Sequence, residues 1–419
     1  MDKKFFSNQI KKDMKIKYLL VAVICFFAIN ASAQFKKSTF EVYGFAMSDA
    51  GYDFKQINPD WYDALRITKL PVTKNEYAPD GSVFMGVRQS RFGVKSNTPT
   101  KGGNFKTQFE FDLFGVGADA GQTTFHLRHA YGEIGKFLAG QTWSNFMDAD
   151  AFPNTLEYWG PTGMVFFRNI QVRYTPLMDS KNTLAIALER PGGSGDGGVY
   201  TSVDLSYVKP QFNAPDFTAS YKYNDKWGYL KLAGIVRSMK WKNVSGTDQI
   251  LNDGSAVGWG GNLTTGINLG KQAVLRLQGV YGEGMENYMN DSPADVGLEY
   301  SGQFKTDGKG DTIKYVKGIA LPIWGATAYI DLTLSKLFKT SFGYSVQTID
   351  NSELQSAEAF KQGQYGTVNI LYYPVNNVMA GLEYQFGRRD NKSDGFHSTD
   401  SKIQFSFKYN FSNILSFDK

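Results

Sequence analysis

From Val83 to Gly163 the chain alternates apolar and polar residues over runs of about ten, a rhythm of two that suits extended strands. The clearest run sets Phe105, Thr107, Phe109, Phe111 and Leu113 against Lys106, Gln108, Glu110 and Asp112. Strands of this kind have one greasy face and one wet face. In a soluble sandwich the greasy face meets a second sheet, whereas in a closed barrel it meets lipid and the wet face lines a lumen. Alternation by itself fits both.

The start of the chain separates them. Lys3, Lys4, Lys11, Lys12, Lys15 and Lys17 precede an apolar run from Tyr18 to Ile29, and Ala31-Ser32-Ala33 follows as a small-x-small cleavage site. Residues 1–33 therefore read as a secretory signal peptide, and Met14 opens a complete leader of its own. The run is too short for a spanning helix, which needs about 20 residues. Cys25, the single cysteine, lies inside it, so a mature chain beginning near Gln34 holds no thiol and no disulfide. Ile24 is too bulky to precede a lipid-attachment cysteine.

The leader also carries most of the net charge. Removing its six lysines, Asp2 and Asp13 from 45 basic and 40 acidic residues leaves 39 and 38. A mature chain near +1 has no bulk attraction for nucleic acid, and no such partner is expected. Forty-four glycines, 15% aromatic residues and no long apolar run after the leader suit a membrane protein whose strands are half apolar. A single barrel over residues 34–419 accounts for the length without a linker.

Short turns at one end and long loops at the other place strands at 38–48, 83–96, 104–114, 123–133, 137–143, 165–175, 183–190, 217–223, 227–238, 256–269, 272–282, 322–335, 339–348, 364–373, 378–388 and 402–411. The expected fold is all-β: a transmembrane antiparallel β-barrel of sixteen strands, with long extracellular loops and short periplasmic turns. The stretch 191–216, where Val203, Leu205 and Tyr207 alternate, is read as outer loop, because another span would break the order of short and long connections. Residues 283–321 form the longest loop. Sixteen strands leave an aqueous channel, where eight would be packed shut.

In the second strand Val83, Met85 and Val87 are apolar at odd positions, then Phe92 and Val94 at even ones. A β-bulge near Gln89-Ser90 produces this slip by inserting one residue, and it turns Arg88 and Arg91 to the lumen with Lys95 below. The same rule points Arg128, Arg173 and Arg276 inward, since a guanidinium facing lipid at mid-bilayer costs about 2 to 4 kcal/mol. The result is a basic ladder suited to small anionic solutes. The plainer reading is that these arginines pair with Glu110, Asp112 and loop carboxylates and hold the wall together.

The segment Ser144 to Gly163 is the candidate constriction. It carries Asp148, Asp150 and Glu157 among Phe146, Phe152, Tyr158 and Trp159, punctuated by Pro153 and Pro161. Folded inward, its acids would face the arginines across a gap and set up a transverse field. Left outside, it is an ordinary outer loop. Other motifs carry less. His126 and His129, three apart on a strand, should point to opposite faces and share no metal, so no metal or cofactor is expected. No activated-serine motif accompanies His126, and catalysis is not expected. Trp143, Trp227, Trp241 and Trp324 read as interfacial girdle residues.

At GVRQSRFGVKSNTPT, RHAYGEIGKFLAGQTWSNFMDADAFPNTLEYWGPTG and RNIQVRYT the chain resembles the DcaP-like outer-membrane porins. The likeness is strong over residues 83–175 and weaker through PDFTASYKYNDKWGYLKLAG to the end. It implies a homotrimer in outer-membrane lipid that passes small anionic solutes, with dicarboxylates the typical cargo. Some members carry a helical extension ahead of the barrel; here four residues, Gln34 to Lys37, separate the cleavage site from the first strand. The expected function is a passive, anion-preferring porin of the bacterial cell outer membrane. The alternatives are a sugar-type channel guided by aromatic residues and, from another class, an outer-membrane barrel hydrolase.

Overall fold

The alternation closes into a wall. The computed structural model describes residues 38–196, 206–247, 249–306, 310 and 312–417, and within them sixteen antiparallel strands pair with their neighbours in sequence. These are β1 (Ser38–Asp53), β2 (Ser82–Gly86 and Arg91–Thr100), β3 (Gly103–Phe114), β4 (Thr123–Ile134), β5 (Phe137–Trp143), β6 (Arg168–Met178), β7 (Asn182–Glu189) and β8 (Asp216–Asp225). There follow β9 (Gly228–Asn243), β10 (Gly254–Asn268), β11 (Ala273–Glu283), β12 (Pro322–Thr333), β13 (Phe338–Ile349), β14 (Phe360–Tyr372), β15 (Val378–Asn391) and β16 (His397–Phe417). β1 pairs with β2 on one side and, from Ser38↔Phe417 to Asp53↔Lys402, with β16 on the other. That last ladder closes the ring and leaves no free first or last strand. The leader, Cys25, the cleavage site, Val203 and Leu205 lie outside the described residues.

The wall has two chemically different faces. Phe109, Phe125, Val172, Leu232, Val368 and Phe407 are exposed on the outside, while their sequence neighbours Glu110, Gln171, Thr367 and Ser406 are buried within. Among the described residues no helix is long and apolar enough to cross a membrane, and the crossing is made by strands whose backbone groups pair around the ring. Gly135 (φ +57°) and Gly270 (φ +80°) supply left-handed backbone at two of the short turns.

Three details differ from the reading of the sequence. The first strand runs on to Asp53, and the last spans His397 to Phe417. The stretch before β8 contributes a short strand, Val208–Pro210, paired to the end of β9. The longest connection is not a plain loop: Val296–Thr306 and Thr312–Ala320 form a hairpin, and Leu298 and Val316 pack there with Leu251 and Leu354. A register shift between Tyr300 and Phe304 interrupts its alternation, which hides it from a period-two search.

Candidate pore site

β5 ends at Trp143, and the segment 144–167 before β6 turns into the barrel. Its bonds to the inner wall run around much of the ring. The Asn145 amide donates to the Ala185 carbonyl (3.2 Å) on β7 and accepts from the Ser220 hydroxyl (2.8 Å) on β8. The Phe146 carbonyl accepts from Asn262 (2.9 Å) on β10, and Lys231 of β9 donates to the Met147 carbonyl. The Asn154 N–H donates to Asp331 (3.2 Å) on β12, and the Leu156 N–H to Glu383 (2.7 Å) on β15. The Tyr158 hydroxyl donates to Asp112 (2.8 Å) on β3, and the Gly163 N–H to Gln347 (3.2 Å) on β13. A loop lying outside the barrel could not reach inward-facing groups on so many strands. At its far end Gly163 has φ +71°, and a Cβ there would sit 2.2 Å from the Val346 carbonyl oxygen, so the close approach requires glycine.

Each acid of this strap has a lysine as its ion-pair partner, not an arginine of the ladder. Asp148 is buried, accepts from the Thr264 hydroxyl (2.5 Å) and lies 3.7 Å from the Lys222 ammonium; Asp150 pairs with the same lysine. Glu157 is buried against Lys402 (3.6 Å) and accepts from the Leu65 N–H (3.2 Å) and the Gly160 N–H (2.6 Å). Burial pushes its carboxyl up to about 7, with Lys402 pulling the other way. These acids tie the strap to lysines on two separate parts of the wall, Lys222 of β8 and Lys402 of β16.

The second strand is interrupted at the expected place. From Asp49↔Gly86 to Phe45↔Arg91 the partner strand advances four residues and β2 five, which is one inserted residue. Arg91 then faces inward, 3.6 Å from Glu110, with a quarter of its side chain exposed. Lys95 lies over the Tyr43 ring at 4.0 Å. Arg88 corrects the ladder: it is 1% exposed, pairs with Asp63 (2.5 Å), donates to the Gly115 and Gln122 carbonyls and stacks on Phe114 at 3.9 Å. The connection 54–81 folds over it and closes it off from water.

The remaining arginines have definite partners. Arg128 is 4% exposed and donates to Glu110 (2.8 Å) and Asp112 (2.8 Å), in the wall-holding manner of the plainer reading. Arg173 donates to Gln171 (2.9 Å) and the Trp143 carbonyl (2.5 Å). Arg276 pairs with Asp331 (2.6 Å) and donates to the Asp150 carbonyl.

His126 and His129 also depart from expectation. Glu110 faces His129 and Phe111 faces Leu127, so Arg128 is an extra residue in β4. This bulge turns both imidazoles to the inner face: His126 Nδ1 lies 3.1 Å from Asp112, and His129 Nδ1 lies 3.0 Å from the Thr142 hydroxyl. They take separate partners, and no cluster of three or more metal-ligating side chains occurs among the described residues. Trp143, read as a girdle residue, packs instead against His129 (4.9 Å between ring centroids) and Phe166 (5.4 Å) where the strap leaves the wall.

Two cavities flank the strap. One of about 300 Å³ is lined by Phe45, Arg91, Arg128, Trp143, Tyr158 and Lys408, among others. The other, about 260 Å³, is bordered by Glu133, Lys136, Arg173, Lys222 and Lys231. Lys408, Lys222 and Lys231 escaped the sequence reading, although Lys408 between Phe407 and Tyr409 holds an inward position in the alternation. Arg168 left no such signal, because it stands at a strand end where parity fails.

The comparisons with known proteins agree on the architecture. The outer membrane channel DcaP of Acinetobacter baumannii superimposes with a TM-score of 0.71 at 20% identity, over 90% of this chain and 100% of that one. OmpT of Vibrio cholerae, in a loop-deletion form, gives 0.52 at 14% identity over 89% and 99%. An anion-selective porin from Comamonas acidovorans gives 0.51 at 10% over 89% and 100%. At these identities the likeness is one of fold. No curated protein matches the chain. The model of the DcaP outer membrane protein family matches residues 28–411, and the chain belongs to that family of bacterial outer-membrane channels.

Proposed function

We propose that the barrel is a passive porin for small hydrophilic solutes that favours anions, dicarboxylates among them, and works as a homotrimer. The observation that carries this reading is the charge offered to water beside the strap. Arg91 and Lys408, both partly exposed, line the larger cavity, whereas Arg128 is buried in its wall against Glu110 and Asp112. The acid in that lining, Glu157, is matched by Lys402. The second cavity sets Lys136, Arg173, Lys222 and Lys231 against Glu133. A low-dielectric wall focuses such fields, so anions concentrate at the strap and cations are repelled. Separate cationic stations, rather than one, favour solutes with two carboxylates.

Solute flux into proteoliposomes tests the reading. Succinate should enter several-fold faster than a diamine of equal length. Equal rates, or faster diamine entry, would overturn the preference. A sugar track has weaker support, since Trp143, Phe152 and Phe166 pack on one another rather than forming a rising path.

A further inference from the structure

β9 outlasts its neighbour at the long-loop end of the barrel, the end that faces the cell exterior in outer-membrane barrels. Its ladder with β8 stops at Phe217↔Val236, and from Trp241 to Asn243 the short strand Val208–Pro210 takes over. Leu188 of β7, Phe217 of β8, Val236 of β9 and Trp259 of β10 lie side by side in register, all exposed on the outer wall. The Trp259 ring meets Tyr281 edge to face at 5.7 Å, and Val257, one step nearer the loops, is exposed as well. This row is the upper border of the apolar belt.

Above the border the same face turns basic. Arg190 continues the outward parity of Leu188, and Lys240 and Lys242 continue that of Val236. Lys209 stands directly across the ladder from Lys242, and like charges placed opposite each other on a sheet repel. Asp253 answers Lys242. Arg190, Lys209 and Lys240 have no carboxylate within ion-pair distance among the described residues. Arg388, outward on β15, is by contrast held by Asp390 of its own strand. A free phosphate or an acidic protein would satisfy these cations and gain nothing from the apolar row beneath them. A lipid with an anionic headgroup matches both levels at once, because its acyl chains lie against the belt while its headgroup stands at the height of the cations.

We propose that this wall holds a phosphorylated glycolipid of the outer leaflet, with Arg190, Lys209 and Lys240 on its headgroup phosphates and Leu188, Phe217, Val236 and Val257 against its acyl chains. Guanidinium and ammonium groups make charge-assisted hydrogen bonds to phosphate oxygens, and such a headgroup would also relieve the repulsion between Lys209 and Lys242. The site lies on the outside of the wall, so it is independent of the solute preference proposed above.

Native mass spectrometry of the full chain, purified in mild detergent and titrated with bisphosphorylated lipid A, tests it. Arg190→Gln, Lys209→Gln and Lys240→Gln combined should weaken binding about a hundredfold. Lys101→Gln, Lys226→Gln and Lys271→Gln combined, at the short turns, should leave it at the wild-type value, and Lys209→Arg with Lys240→Arg should retain it. Lipid A stripped of its phosphates should bind wild type as weakly as the first variant binds the intact lipid. Equal affinity of wild type and the first variant, an equal loss in the short-turn variant, or undiminished binding of the stripped lipid would overturn the proposal. Displacement of the lipid by millimolar inorganic phosphate would reduce the site to one for a free anion and overturn the lipid assignment. So would an acidic protein that co-purifies with wild type and not with the first variant while lipid A fails to bind. Heat-modifiable migration in sodium dodecyl sulfate gels shows whether each variant is folded. If the triple variant is not, the three single substitutions decide, each weakening binding several-fold if the proposal holds and leaving it unchanged if it does not.

Discussion

The Glu157 carboxyl group and Lys402 Nζ stand 3.6 Å apart with both side chains fully buried, where the strap packs against β16. Burial lifts the Glu157 carboxyl to about 7. A folded-state value above the ordinary 4.5 means that the neutral form is favoured in the packed strap. The stabilisation it brings is complete below about pH 4.5 and is lost as pH rises through 7. Hydrogen-exchange protection factors across residues 144–167, corrected for the intrinsic pH dependence of amide exchange, should therefore be higher at pH 5 than at pH 8. Glu157→Gln should flatten that difference, and an unchanged pH dependence would count against this anchor.

Arg88 and Asp63 form a sealed pair, so their loss should act on stability and not on permeation. Arg88→Ala leaves a buried carboxylate without its partner, a change that costs about 3 to 5 kcal/mol. The urea midpoint followed by tryptophan fluorescence should fall, while ion selectivity stays at the wild-type value. A selectivity change without destabilisation would return Arg88 to the pore lining.

Gly163 lets the strap approach β13. Its positive φ and the Val346 carbonyl leave no room for a side chain, so Gly163→Leu should push this end of the strap off the wall. Single-channel conductance should rise, with broader current noise. Conductance equal to wild type would show that the strap does not set the narrow point.

Lys408 has no carboxylate within ion-pair distance among the described residues, and Arg91 has Glu110 at 3.6 Å. Removing the positive charge at 408 should reduce anion preference more than removing it at 91. Lys408→Ala and Arg91→Ala, compared by permeability ratio in planar bilayers, check this order.

Much of the wall was legible because each strand is half in lipid and half in water, which writes its orientation into residue parity. The inserted residue between Gly86 and Arg91 could be located from the shift of apolar positions alone. Parity shows only a direction, however. It turned Arg88 inward but could not show that Asp63, in a connection without regular alternation, would close over it. The bulge at Arg128 shifts the apolar positions from Phe125 and Leu127 to Ala130 and Ile134, but a small alanine and a strand-end isoleucine mark the shift weakly, so the two histidines were assigned to opposite faces. The strap's acids were visible as charges, but their partners, Lys222 and Lys402, are set by the path of the strap across the lumen, which no local pattern encodes.

The zero-current potential of wild-type channels in a planar bilayer under a potassium chloride gradient tests the central claim most directly. Basic groups facing water beside the strap predict a potential of the sign set by chloride moving faster than potassium, shrinking as salt screens the field. A potential of the opposite sign, or none, would contradict the account.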